Sequence, residues 1–125
     1  MVAVAKKVLV IDDDKVFCKL VAKAFSERGF EVTTAYDGEA GLKLFKGNPV
    51  PVIVLDVAMP GLNGFQVADE IRKQETPEQH TIIVIMTAHS RAFDVSKEFE
   101  SQLDGYLTKP IMPDDIVAQI ETLIA

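Results

Sequence analysis

The sequence predicts an α/β fold in which a five-stranded parallel sheet carries helices on both faces. Three observations predict it. Five short apolar, β-branched runs recur along the 125 residues. The segments between them have helical periodicity, and a strict β-α alternation of this kind defines an α/β sandwich. The central runs are nearly continuous rather than alternating, as in strands buried on both faces.

The elements follow in order. The first strand is VLVI, Val8 to Ile11. Asp14 then suits an N-cap, because its short carboxylate can accept a first-turn amide. Val16, Phe17, Leu20, Val21, Ala24 and Phe25 make one stripe of the first helix, which Gly29 terminates. Cys18 falls just off that stripe and reads as a half-buried, inert thiol. VTTAY, Val32 to Tyr36, is the second strand. Ala40, Leu42, Leu44 and Phe45 form a shorter helix ended by Gly47, Asn48 and Pro49. VIVL, Val52 to Leu55, is the third strand. Pro60, Gly61 and Gly64 make a tight loop before a third helix marked by Leu62, Phe65, Ala68 and Ile71. His80, in the loop after Pro77, reads as a surface residue with no visible partner.

IIVIM, Ile82 to Met86, is the fourth strand. Ala92, Val95 and Phe99 mark a fourth helix over Ser90 to Gln102, with Phe93 off its stripe. Leu103 fills core space before GYL, Gly105 to Leu107, the fifth strand. Pro113 opens the last helix, with Asp114 and Asp115 in the first turn, where acids suit the helix dipole. Its stripe is Ile116, Ile120, Leu123 and Ile124. Each crossover is expected to be right-handed.

Length and composition bound the function. One domain spanning 1–125 fits the length, and a chain of this size buries roughly two thirds of its unfolded surface without staples. An apolar fraction of 48% with 26% charged residues is globular rather than disordered composition. The lone Cys18 forms no internal disulfide, which fits a reducing, cytoplasmic setting. The N-terminus has no secretory h-region, and no run approaches the ~20 apolar residues of a membrane span. A net charge of −6 argues against direct nucleic-acid binding. The last helix runs to Ala125, so no second domain is expected.

The acids are concentrated where chemistry is expected. Asp12, Asp13 and Asp14 follow the first strand, and Asp56 follows the third. Open α/β sheets bind ligands beyond the carboxyl ends of their strands. Thr87 ends the fourth strand and Lys109 the fifth, so four strands finish on one edge in residues able to react or bind. Any one of them reads equally well as a strand terminator, but the set does not. Carboxylates held together repel and raise one another's pKa. A cation is therefore expected among them, and hard oxygen ligands completed by water suit Mg2+.

These motifs, VLVIDDD, VLDVAMPGLNG, VIMTAH and GYLTKP, resemble in order and spacing those of the receiver domains of two-component response regulators. The resemblance covers essentially the whole chain. It implies the flavodoxin-like (CheY-like) strand order 2-1-3-4-5. It implies Asp56 as phosphoacceptor, Asp13 as a direct Mg2+ ligand and Asp12 as one acting mostly through water. The backbone carbonyl of Ala58 is a further implied metal ligand. Thr87 is implied to hydrogen-bond a phosphoryl oxygen and to switch the state together with Tyr106. Lys109 is implied to pair with the phosphoryl group and to precede a cis peptide to Pro110. Small Ala88 leaves room beside the site.

The resemblance implies that the side chains at Ala58 and His89 flank the path of attacking water; Ala58 offers no hydrogen bond there and His89 can orient water, so both are expected to tune phosphoryl lifetime. The implied partners are a histidine kinase or histidine phosphotransfer protein, and a downstream protein read through the fourth helix, fifth strand and fifth helix. Phe93 is a contact candidate on that face. A phosphorylation-linked homodimer belongs to the same pattern. No direct nucleic-acid contact is expected.

Two rival readings share parts of this pattern. A haloacid-dehalogenase-like phosphatase uses D-x-D-x-[TV], which Asp12, Asp14 and Val16 fit literally. It leaves Asp56 and the Met59-Pro60-Gly61 loop without a role. A flavodoxin-like electron carrier wants a hydroxyl- and glycine-rich phosphate loop where this chain has three aspartates, which would repel a flavin phosphate.

Overall fold

The computed structural model describes residues 6–87 and 102–124. Its elements run β1 (Lys7–Ile11), α1 (Lys15–Ser26), β2 (Glu31–Ala35), α2 (Gly38–Gly47), β3 (Val52–Asp56), α3 (Gly64–Gln74), β4 (Ile82–Thr87), β5 (Gly105–Thr108) and α4 (Pro113–Ile124). The predicted helix over residues 90–102 lies outside the described residues apart from its last position, and Ala88, His89 and Phe93 lie outside them too. The sheet is parallel throughout, in the order β2-β1-β3-β4-β5. Strand order reverses between β1 and β3, which opens a crevice at their carboxyl ends.

Strand periodicity divides the core into two layers. Val8, Val10, Val52, Val54, Val84 and Met86 face α1 and α4, where they meet Cys18, Val21, Phe25, Ile116, Val117 and Ile120. Leu9, Ile11, Ile53, Leu55, Ile83 and Ile85 face α2 and α3, where they meet Phe45, Val67, Ala68 and Ile71. Each fully buried aliphatic is worth about 1.5–3 kcal/mol over exposure. The exposed Lys7–Glu31 pair at 3.6 Å adds at most about 1 kcal/mol. Burial in the three central strands therefore decides stability.

The caps follow the sequence closely. Asp14 is extended and its side chain accepts from the Phe17 amide, and Asp37 does the same for Ala40. Asn63 and Gln66 form a reciprocal capping box at α3, the N-x-x-Q version of a known start signal. Gly29 has φ 86°, the left-handed turn that ends the α1 segment.

Three expectations are corrected. In α1 the buried residues are Cys18, Val21, Ala24 and Phe25, while Val16 and Leu20 are 69% and 52% exposed. Val16 and Leu20 each sit about 200° of helical rotation from Cys18, so one face cannot bury all of them. Cys18 is thus fully buried rather than half-buried. In α2, Leu44 is exposed and Gly38 and Gly41 join Phe45 in the interior. The close approach of α2 to β1 leaves no room for larger residues on that face, since a Cβ on Gly41 would lie 2.3 Å from Ile11 Cδ1. Asp56 is the last residue of β3, not the first beyond it.

Candidate functional site

Three strand ends build the site. Asp12 follows β1 directly and is fully buried, Asp13 beside it is exposed, and Asp56 closes β3, 6% exposed. One carboxylate oxygen from each lies within 4.8 Å of the others. That spacing suits a single hard cation with oxygen ligands and water. The residues present therefore fit Mg2+.

Asp12 is held on all sides. Its backbone amide donates to the Ala35 carbonyl (3.1 Å) and its Oδ1 accepts from the Asp14 amide (2.9 Å). Its carbonyl accepts from the Cys18 thiol (3.2 Å). Burial, reinforced by the Asp12 charge, pushes that thiol up to about 11, so Cys18 acts as a neutral donor and not as a nucleophile.

Lys109 supplies the opposing charge. Its Nζ lies 2.9 Å from Asp12 Oδ2 and 3.5 Å from Asp56 Oδ1. Burial works against the ammonium, but hydrogen bonding and charge from Asp12 and Asp56 outweigh it and hold the Lys109 pKa above its ordinary value. Its backbone amide donates to the Thr87 carbonyl (2.7 Å), tying the ends of β4 and β5 together, and the Lys109-Pro110 peptide is cis. Thr87 is 6% exposed, one residue past the Met86 that pairs with Asp56.

Burial first, then repulsion from Asp12, pushes the Asp56 carboxyl from 3.8 up to about 6, although Lys109 pulls the other way. The loop behind it is equally constrained. A Cβ on Gly64 would lie 2.6 Å from the Asp56 carbonyl oxygen, so α3 starts against the Asp56 backbone only because residue 64 is glycine.

Of the residues expected at the site, Asp12, Asp13, Asp56 and Lys109 converge, and Thr87 stands at the same strand edge. Ala58 is exposed on the loop after β3, and Tyr106 is 39% exposed on edge strand β5. Asp14, the second aspartate of the phosphatase pattern, is occupied as a helix cap, and Asp114 and Asp115 stand in the first turn of α4. Phe17 packs against the core as its stripe predicts, and its ring also lies 4.8 Å from Lys109 Nζ. Local sequence offers no signal for a contact that spans the length of the chain.

His80 has partners, contrary to expectation. Its Nε2 is 2.9 Å from Asp104 Oδ1, within a cluster around Arg72 at the opposite end of the sheet. Arg72 donates to the carbonyls of Gln102 (2.9 Å) and Thr81 (2.6 Å), to Asp104 (3.0 Å) and to Glu75. A cavity of about 520 Å³ lies at that end as well, lined by Lys7, Glu78, His80 and Thr81 among others. Among the described residues no carboxylate triad converges there, so size alone does not make it the candidate site.

The comparisons with known proteins agree with this geometry. The family model "Response regulator receiver domain" matches residues 8–121. A probable transcriptional regulator ycf27 from Cyanophora paradoxa is 36% identical over 119 residues, covering 95% of this chain and 48% of that protein. The chain thus spans about half the length of the curated relatives it matches. The receiver domain of the Francisella response regulator 1452 superposes with a TM-score of 0.83 at 35% identity, covering 94% of this chain and 95% of that one. The response regulator TrrA from Thermotoga maritima, solved in complex with Mg2+-BeF, gives 0.81 at 32% identity, covering 94% and 98%. The chain belongs to the response regulator receiver domain family, the switch module of two-component signalling. Nothing in these comparisons supports the phosphatase alternative. Among the described residues, no helix is long and apolar enough to cross a membrane.

Proposed function

We propose that Asp56 accepts a phosphoryl group from a phosphohistidine on a histidine kinase or phosphotransfer protein. The observation that carries this is a buried carboxylate at a strand end, within metal-sharing distance of two other aspartates and 3.5 Å from a lysine ammonium. Asp12, Asp13, Asp56 and the Ala58 carbonyl would hold Mg2+. When bound, that ion supplies positive charge against the crowded carboxylates and the incoming phosphoryl oxygens.

The residues then divide the work. An Asp56 oxygen forms the new P–O bond as the P–N bond to the donor imidazole breaks, and the imidazole departs with the bonding electron pair. Lys109 balances charge on the transferred group and Thr87 donates a hydrogen bond to it. Such transfers depend on positioning and electrostatics more than on covalent assistance.

The phosphoryl oxygens carry about −1.5 to −2 charge in the cleft where the Asp56 carboxylate carried one unit. Thr87 is drawn toward it and Tyr106 turns inward, biasing a two-state equilibrium. The changed face comprises residues 90–102, β5 and α4, with Phe93 as a contact. A downstream protein reads it, or a second copy of the chain pairs through it. Ala58 and His89 set how readily water reaches the acyl phosphate. The module works in the cytoplasm, and the acidic surface leaves any effect on DNA to a partner or an attached domain.

Incubation with acetyl phosphate and Mg2+ tests the assignment by intact mass. A single phosphoryl adduct that disappears when EDTA replaces Mg2+ is expected, and no adduct under either condition refutes it. The metal set has its own check. Mg2+ at about 100 times its Kd should stabilise the fold by about 2.7 kcal/mol, read as a higher Tm. A Tm indifferent to Mg2+ would remove the ion from the site.

A further inference from the structure

Lys109 carries its charge on a flexible four-carbon stem, so its position depends on what surrounds the ammonium. Asp12 and Asp56 hold it from the cleft side at 2.9 and 3.5 Å. The third neighbour is the Phe17 ring, with its centroid 4.8 Å from Nζ. That separation is within cation–π range.

The ring itself is well anchored. The Phe17 amide donates to the Asp14 cap at 3.0 Å, and its side chain packs against the core layer that holds Cys18 and Val21. Phe17 and Lys109 also line one open groove of about 460 Å³ with Asp14, Pro110 and Ile111. The ring thus stands where the ammonium would otherwise meet water.

We propose that Phe17 is a positioning residue for phosphoryl transfer, its ring holding the Lys109 ammonium at the mouth of the Asp12–Asp56 pair. This rests on the phosphoacceptor function proposed for Asp56. To neutralise an arriving phosphoryl group, the ammonium must turn from Asp12 toward new oxygens. A hydrogen-bonding partner would have to be released first. A ring face attracts through its quadrupole and has no single bonding direction, so the ammonium pivots over it without being lost. Leucine would fill the same space and provide none of this attraction.

The test separates the phosphoryl subsite from the metal subsite. Kd values for Mg2+ alone, and for fluoroberyllate at saturating Mg2+, are measured by calorimetry on wild type, Phe17→Leu, Phe17→Met and Phe17→Tyr. Both apolar variants should raise the fluoroberyllate Kd about three- to tenfold and leave the Mg2+ Kd within about twofold. Phe17→Tyr should restore the wild-type value within about twofold. Without metal, the Lys109 ε-methylene protons should show an upfield ring-current shift that Phe17→Leu abolishes and Phe17→Tyr keeps.

Unchanged fluoroberyllate binding in the apolar variants overturns the proposal. So does an equal loss of Mg2+ affinity, which marks a packing role, or failure of tyrosine to rescue. If Phe17→Leu does not fold, Phe17→Met decides on the same criteria. If wild type binds neither ligand, the phosphoacceptor function fails and this proposal with it. That result differs from a wild type that binds both and a Phe17→Leu that matches it.

Discussion

Asp56→Asn is expected to leave a folded protein that takes up no phosphoryl group from acetyl phosphate and Mg2+. The amide keeps the shape of the side chain and removes the attacking oxygen anion. Intact mass should show no adduct where wild type shows one. An undiminished adduct in Asp56→Asn, with loss instead in Asp12→Asn, would move the nucleophile to β1.

The same variant carries a stability prediction of definite sign. Burial and the Asp12 charge raise Asp56 from 3.8 to about 6. Between those values the folded chain holds a proton that the unfolded chain has released, so stability falls as pH rises through the window. The full loss is about 3 kcal/mol and is present above pH about 6. Metal-free Asp56→Asn, which has no charge there, should therefore be more stable than wild type near pH 7 by up to about 3 kcal/mol. The advantage should vanish below about pH 4, where both side chains are neutral. Urea unfolding in EDTA across this range measures it, and an Asp56→Asn protein no more stable than wild type at neutral pH contradicts the account.

Arg72→Ala should have a large effect on folding for a charged residue away from the acidic cleft. The guanidinium satisfies the Gln102 and Thr81 carbonyls and pairs with Asp104 and Glu75. Those acids in turn accept from the Ile83 and Thr81 amides, each at 2.7 Å. Hydrogen bonds from His80, the Ile83 amide and Arg72 together overcome burial to hold the Asp104 carboxyl below its usual range. Removing the cation leaves two largely buried carboxylates facing each other, with a cost of about 3–5 kcal/mol. Denaturant midpoints should show it, whereas a loss under about 1 kcal/mol would mean that the cluster is exchangeable with water. Phosphorylation of the folded fraction should continue, because the cluster lies at the other end of the sheet.

Strand order and the acidic edge were legible because both rest on strong local signals. Continuous runs such as VIVL and IIVIM specify doubly buried strands, and polar residues at their ends mark the edge where the acids and Lys109 converge. Helix faces were less legible. In α1 almost every position from Val16 to Phe25 is apolar or long-stemmed, so several stripes fit the pattern, and only contact with β1 and α4 selects Cys18 over Val16 and Leu20. The capping box of Asn63 and Gln66 was readable in principle, as a polar pair three apart just before the helix.

Contacts between distant segments were not readable. Phe17 under Lys109, the Cys18 thiol on the Asp12 carbonyl and His80 against Asp104 each require the closed fold. Arg72 looks like an ordinary solvated residue near a helix end. Glu75 is local to it, but Gln102, Thr81 and Asp104 reach it only when β4 and β5 are paired.

The hydrogen bond between Lys109 and Asp12 joins residues 97 apart in sequence. Asp56 meets that pair only when β1, β3, β4 and β5 are all in register. A peptide carrying Asp56 and its flanking loop has the nucleophile but none of its neighbours, and would be as inert as any aspartate in water. The proposed acceptor site is thus a long-range assembly with no local precursor. Its reactivity should disappear together with the global unfolding transition, which makes uptake of label from a small phosphodonor a direct assay of how much chain is fully folded.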